Sequence, residues 1–482
     1  MNDESEDDRQ SRRRFLKLAG VSAVGMAGCN SDDSEETETL ELRHGVAVGD
    51  VTDDTAVFWS RLEDSGVVHV EYATDGFEKT TTHEETVVDG DADNTARIRL
   101  EGLNSGTEYR YRAWGTPGSG GAARNAPVGS EYLEEGVFKT APAPDERDSV
   151  TIAWSGDTYG YGGYPLEPPF ECLRSIGELG PDAFLYLGDT IYADANTPAG
   201  VLTGDETKEE AMEIYRAKYK EMRVPDESVA ETTHLQKALT STSVYAIWDD
   251  HEVENNFDRT HRLLSTGRDV FIDYWPIDRH ESVTGDVTGR LFRKFQWGEH
   301  LELFILDTRQ YKSPKDGNTD SKTMLSRPQI EWLKQSLRES DATVKIIGSS
   351  VTFGINSGDG WTSGGDPGYK QERDEIVEMI RSESIKNVVV LSGDVHTAAV
   401  ATYDLGSVSD VNIVESSAGA MGAPSGGPKG HDWELQPRSH FERGVDLLNY
   451  GVFEVDEAGE RFIIQIHNEN GKEVYRKSWS TG

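Results

Sequence analysis

Apolar runs in this 482-residue chain end, again and again, in side chains that can hold metal ions. Leu185-Tyr-Leu-Gly-Asp-Thr-Ile-Tyr192 reads as a buried strand whose end delivers a carboxylate, Asp189, with a phenol, Tyr192, three residues on. Val150 to Trp154 runs into Ser-Gly-Asp157, and Val244 to Trp248 runs into Asp249-Asp250-His251-Glu252. Leu301 to Leu306 precedes Asp307-Thr-Arg309, and Asn387 to Leu391 precedes Ser-Gly-Asp394-Val-His396. A short apolar run closed by glycine or polar residues is a strand entering a loop, and α/β sheets bind ligands at strand C-terminal ends. One edge gathering these side chains would be a polynuclear metal site.

The elements that must position them fall into two stretches. From residue 40 to 141 short alternating strands such as Ala56–Ser60, Val67–Tyr72, Ala96–Leu100 and Glu108–Trp114 predict a β-sandwich. Leu103 to Tyr109 resembles the tyrosine corner of fibronectin-like sandwiches, and Ala141-Pro-Ala-Pro144 reads as a linker. From residue 148 to 480 strands alternate with helical segments, including 206–222 and 328–339, so this part is expected to be α/β. Arg461–His467, Asn470-Gly471 and Glu473–Lys477 predict a hairpin closed by a type I′ turn. The glycine-rich stretches 354–368 and 419–430 are either plain loops or the rim of the site. Cys172 lies in a segment of helical spacing and reads as packing.

Acidic residues number 87 against 48 basic ones, a formal net charge of -39. The acid is spread over the whole length, which points to a protein adapted to molar salt, where self-repulsion is screened. Nucleic acid is not an expected partner. At the N-terminus Ser11-Arg-Arg-Arg-Phe-Leu-Lys17, a short apolar run and Met26-Ala-Gly-Cys29 fit a signal peptide over residues 1–29. The twin arginine implies the Tat export machinery, and Cys29 the lipid anchor of a cell-surface protein, with a secreted form as the alternative. Residues 30–39 are an acidic tether.

Four segments resemble motifs of the PhoD-like alkaline phosphatases, a branch of the calcineurin-like metallophosphoesterases. They are His44-Gly-Val-Ala-Val-Gly-Asp50, Trp248-Asp-Asp-His-Glu-Val-Glu-Asn-Asn256, Leu306-Asp-Thr-Arg-Gln-Tyr311 and Leu391-Ser-Gly-Asp-Val-His396. The resemblance spans about residues 42 to 470. It implies a multidomain protein, a fibronectin-like β-sandwich followed by an α/β metallophosphoesterase domain. It also implies a binuclear or larger metal centre that hydrolyses phosphate esters through a metal-held water or hydroxide. Asp189 takes the position of the bridging carboxylate, with Asp157, Tyr192 and His396 around the first metal. Asp250 and Asp394 serve the second, with Asn255 or Asn256 as a further donor. The chain departs from the family at Ser155-Gly-Asp157, where an iron-ligating Cys is usual and Asp157 replaces it. A phenolate such as Tyr192 needs a strongly acidic cation, so ferric iron is expected there, as in the purple acid phosphatases with the same Asp-x-x-Tyr spacing. The oxygen-rich second site suits calcium, or manganese or magnesium. His251 is expected to protonate the leaving group and Arg309 to clamp phosphate oxygens, unless Arg309 simply pairs with Asp307. Phosphodiesterase activity, akin to phospholipase D-like members, is the alternative reaction. A catalytically inactive phosphate-binding surface lipoprotein is the alternative of a different class.

Overall fold

The computed structural model describes residues 39–78, 81–118, 133–159, 170–224, 233–278, 289–316, 322–365, 368–405, 412–427, 429–444 and 447–482. The twin-arginine segment, Cys29 and all but the last residue of the acidic tether lie outside them. Among the described residues no helix is long and apolar enough to cross a membrane.

The first hundred described residues carry β1 (Val46–Gly49), β2 (Thr55–Arg61), β3 (Gly66–Ala73), β4 (Thr82–Val88), β5 (Thr95–Glu101), β6 (Glu108–Thr116) and β7 (Glu134–Lys139). They divide between two sheets. β4-β3-β6-β7 form an antiparallel sheet of their own. The tyrosine corner expected over Leu103–Tyr109 is present, with the Asn104 N–H donating to the Tyr109 hydroxyl at 2.8 Å. β1, β2 and β5 instead extend a nine-stranded sheet whose other members come from the second half of the chain. The junction is the parallel pairing of Gly49 with Val244. A Cβ at Gly49 would collide with the Val244 carbonyl, so only glycine lets the two strands approach.

The second half supplies β8 (Val150–Ser155), α1 (Glu171–Leu179), β9 (Ala183–Leu187), α2 (Lys208–Arg223), α3 (His234–Leu239), β10 (Ser243–Ile247) and α4 (Leu264–Tyr274). There follow β11 (Arg293–Trp297), β12 (Leu301–Ile305), α5 (Ser326–Glu339), β13 (Val344–Ser349), α6 (Lys370–Ser382) and β14 (Val388–Ser392). The chain ends with β15 (Ala398–Asp404), β16 (Asn412–Ser417), β17 (Pro437–Arg443), β18 (Asn449–Val455), β19 (Arg461–Asn468) and β20 (Glu473–Ser480). The nine-stranded sheet runs β20-β19-β18-β8-β9-β10-β1-β2-β5, and a seven-stranded one β11-β12-β13-β14-β16-β15-β17.

The two large sheets pack where β9 meets β13 and β8 meets β14. Strand alternation explains the layering. Ile346, Val389 and Leu391 enter the core shared with Leu185 and Leu187. Their neighbours Ile347, Val388 and Val390 face the other way, into the core built with Leu333 of α5 and Ile376 of α6. Each such buried aliphatic side chain contributes roughly 1.5–3 kcal/mol. The helical reading at 206–222 is realised as α2, started by a capping box in which Thr207 and Glu210 satisfy each other's backbone N–H groups. Cys172 is a buried free thiol on α1.

The C-terminal hairpin is present, but its turn is not type I′. Gly471 has φ +72° whereas Asn470 is not left-handed, and the Gly471 N–H donates to the Asn468 carbonyl at 2.9 Å. This is a type I turn followed by a left-handed glycine, the commoner closure when one residue more than a two-residue loop must be accommodated.

Candidate metal centre

The strand ends meet at one edge of the stacked sheets. Asp157 follows β8, Asp189 follows β9, Asp249 to Glu252 follow β10, Asp307 to Arg309 follow β12, and Asp394 and His396 follow β14. Asp157, Asp189, Asp394 and His396 all have positive φ, between 50° and 65°. Left-handed backbone in non-glycine residues costs on the order of 1 kcal/mol each and collects at functional sites.

Two groups of donors result. Donor atoms of Asp157, Asp189 and His396 lie within 4.8 Å of one another, and so do those of Asp189, Asp250 and His251. Asp189 belongs to both. In the first group His396 Nε2 is 3.3 Å from Asp157 Oδ1 and 3.4 Å from the Tyr192 hydroxyl. His396 Nδ1 donates to the Pro424 carbonyl at 2.8 Å, which fixes the ring and leaves Nε2 as the donor atom for a cation. Asp157 Oδ2 is buried and has no hydrogen-bond partner. A Cβ at Gly419 would collide with it, so this glycine keeps the space beside the carboxylate open.

Electrostatics say that the set lacks positive charge. Burial, then Asp250, Asp249, Asp157 and Glu252, push Asp189 well above the usual carboxylate range. Burial followed by the Asp249 and Asp359 carboxylates raises Asp394 to about 8. Burial and the charges of Asp189 and Asp157 raise Tyr192 well above an ordinary phenol. Carboxylates and a phenol packed this way ionise together only around cations. Oxygen donors with one or two imidazoles, plus the orphaned Asp157 oxygen, fit the multinuclear centre expected.

His251 is held at the mouth of this cluster. Its Nδ1 bonds Asp194 Oδ1 at 2.7 Å, and its ring stacks on Tyr192 at 4.1 Å between centroids. Burial pushes its pKa down, but the carboxylates of Asp250 and Asp194 outweigh it and bring it to about 9. Tyr159 packs edge-on against Tyr192, as a packing residue would. Asn255 is exposed, and its backbone N–H donates to Asp194 Oδ2 at 3.0 Å. The neighbouring Asn256 N–H donates to Asp250 Oδ2 at 2.6 Å.

Arg309 is placed differently from both sequence readings. Its guanidinium is fully buried and bonded to Asp249 and Asp359, not to Asp307. Asp307 instead accepts from the Arg309 backbone N–H at 3.1 Å and from the Trp248 indole at 2.9 Å. The third nitrogen, Nη2, makes no hydrogen bond and stands 3.7 Å from Asp250 and 3.9 Å from Asp394. An arginine so enclosed compensates carboxylate charge, with two of its nitrogens taken by Asp249 and Asp359. Asp394 is also bonded by the Ser357 hydroxyl at 2.8 Å.

Residues 152–456 match the PhoD-like phosphatase family, and residues 28–142 match the N-terminal domain of that family. The chain belongs to the PhoD-like phosphatases. It is 25% identical over 450 residues to alkaline phosphatase D of Bacillus subtilis, covering 80% of this chain and 71% of that protein. A solved structure of PhoD superposes with a TM-score of 0.70 at 20% identity, covering 94% of this chain and 92% of that one. The purple acid phosphatase PPD1 from yellow lupin seeds superposes with a TM-score of 0.56 at 12% identity, covering 90% and 73%. This PhoD-like phosphatase is thus an enzyme that hydrolyses phosphate esters with metal ions.

Several residues of the PhoD-like centre have roles that the sequence did not reveal. Glu252 accepts from the Asp189 N–H at 3.2 Å, the Thr190 N–H at 2.6 Å and the Asp249 N–H at 2.8 Å, tying the β9 and β10 loops together. Asp194 orients His251; its only sequence signal is a place two residues beyond Tyr192. Asp359 and Ser357 come from the glycine-rich stretch 354–368, and Pro424 and Gly419 from 419–430. Both stretches are therefore rim loops.

Proposed function

We propose that this enzyme hydrolyses phosphate monoesters at a centre bridged by Asp189. The observation that carries the reading is the membership of Asp189 in both donor groups, the arrangement one carboxylate between two cations needs. Asp157, Tyr192, His396 and Asp189 would hold ferric iron. Asp189, Asp250 and Asp394, with Asn255 nearby, would hold calcium, or manganese or magnesium in its place. When bound, such ions act as Lewis acids toward phosphoryl oxygens and activate water near neutral pH.

The chain's own groups supply the rest. His251, its proton favoured by the Asp250 and Asp194 carboxylates, donates Nε2–H to the leaving alkoxide, while Asp194 holds Nδ1–H and the Tyr192 ring limits its tilt. Arg309 steadies Asp249, Asp250 and Asp394, so we assign it to positioning. Reconstituted protein should turn over 4-nitrophenyl phosphate faster than bis(4-nitrophenyl) phosphate; the reverse order would favour the diesterase reading. Asp189→Asn should abolish turnover and lower metal content at both positions, and near-normal activity in that variant would remove the bridging assignment. Visible charge-transfer absorption lost in Tyr192→Phe supports iron, whereas a colourless, fully active protein with divalent ions alone excludes it.

We also propose that the enzyme is exported and anchored at the cell surface. The Arg12-Arg13 pair supports Tat export, and Met26-Ala-Gly-Cys29 supports lipidation of Cys29. Mass analysis of the mature N-terminus, with Cys29→Ser released from the membrane fraction, checks it.

A further inference from the structure

Far along the chain from the phosphatase centre, the four-stranded sheet carries a second convergence of donors. β3 and β4 are antiparallel with His69 opposite Glu85 and Glu71 opposite His83. The pleat therefore puts His69, His83 and Glu85 on one face, while Val68, Val70 and Tyr72 enter the core on the other. Trp114, across from His69 on β6, stacks on its ring at 5.1 Å and 11°.

We propose that His69, His83 and Glu85 form a structural metal site for one borderline divalent cation, zinc in the first instance. Donor geometry is the first support. His69 Nδ1 is 3.2 Å from His83 Nε2 and 3.3 Å from Glu85 Oε2. Tetrahedral zinc with bonds of about 2.0–2.1 Å separates its donors by about 3.3–3.4 Å, so these gaps are those of ligands around one ion. All three donor atoms lie within 4.8 Å of one another. Glu85 Oε2 is the second support: it is buried and has no hydrogen-bond partner.

The surroundings of the ring fit as well. His69 is completely buried, and its Nε2 lies 2.8 Å from the Thr116 hydroxyl. With its N–H on that bond, Nδ1 would turn a lone pair toward His83 and Glu85. Glu71, the other acid on this face of β3 and β4, is engaged by Arg112 at 2.7 Å and is not needed as a ligand. Two imidazoles and one carboxylate suit zinc and its neighbours rather than calcium or magnesium. The ion would clip β4, an edge strand whose only fully buried residue is Val88, to its inner neighbour.

Cobalt(II) is the probe, added to the full chain carrying Asp189→Asn so that the bridged centre is impaired. One tightly held equivalent with tetrahedral d–d absorption is expected, and His83→Ala, half-exposed and tolerant of truncation, should remove it. In the otherwise unaltered enzyme, His83→Ala and Glu85→Gln should each lose one equivalent of zinc and keep phosphatase activity. Their Tm should fall below that of the parent only when zinc is present. Unchanged metal content in both variants would overturn the site. So would an equal loss of Tm with and without chelator, which marks a plain hydrogen-bonded network.

Discussion

At the scale of single residues, His251 is where charge and position combine. Burial alone would strip its proton, yet Asp250 and Asp194 hold the pKa near 9. His251→Ala should therefore lower kcat by about 10²–10⁴ while keeping its metals, the range for a lost general acid. Loss of a full equivalent of metal would make His251 a ligand instead. Asp194→Asn removes one of the two carboxylates that raise the pKa, so the protonated ring should be lost at lower pH. The alkaline limb of the kcat profile should move down by a unit or so, measured on 4-nitrophenyl phosphate; an unmoved limb would detach Asp194 from the proton donor. That Asp157, Asp189, Tyr192, Asp250, Asp394 and His396 gather at one edge was legible in the sequence because each lies within a few residues of the end of an apolar strand. Glu252, Asp194 and Asp359 were not, since their partners are set by how separate loops fold back. Arg309 was visible, but spacing could not tell that its guanidinium would pair with Asp249 and Asp359 and not with Asp307.

Among the elements, the β1–β2 pair holds a pH-sensitive contact. His44, just before β1, is buried, and its Nδ1 is 3.1 Å from Nη1 of Arg61, which has only hydrogens to offer. Burial, then the charge of Arg61, lower its pKa from 6.5 to about 3. The folded protein thus refuses a proton that the unfolded chain accepts below pH 6.5. Stability from this residue is complete above that value and falls as pH drops toward 3, by a few kcal/mol in all. Denaturant midpoints of His44→Gln should fall less steeply than the parent's between pH 6.5 and 4; parallel curves would count against His44 as the cause. Strand positions were legible, since the five apolar runs that end in metal-binding side chains became β8, β9, β10, β12 and β14. Sheet membership was not, because the pairing of Gly49 with Val244 joins residues far apart in sequence. Nor did Asn470-Gly471 reveal its turn type, which depends on how many residues the flanking strands leave unpaired.

Over the whole molecule the dominant quantity is the formal charge of -39. We expect native compactness and activity to need roughly molar salt, where the Debye length is about 3 Å and surface carboxylates no longer repel across the molecule. Scattering and ester hydrolysis from 0.1 to 3 M salt check this, and full activity in dilute buffer would end the halophilic reading. The nine-stranded sheet has a consequence in time. Its inner strand β8 is paired on one side by β9 and on the other by β18, whose partner β19 is in turn bonded to β20. A growing polypeptide therefore cannot finish this sheet until β18, β19 and β20, far downstream of β8, have left the ribosome. Until then the flank of β8 lies bare, open to pairing with another chain. A translocase that threads unfolded chains would find the sheet unfinished. One that accepts only completed molecules would in effect be counting to the last strand.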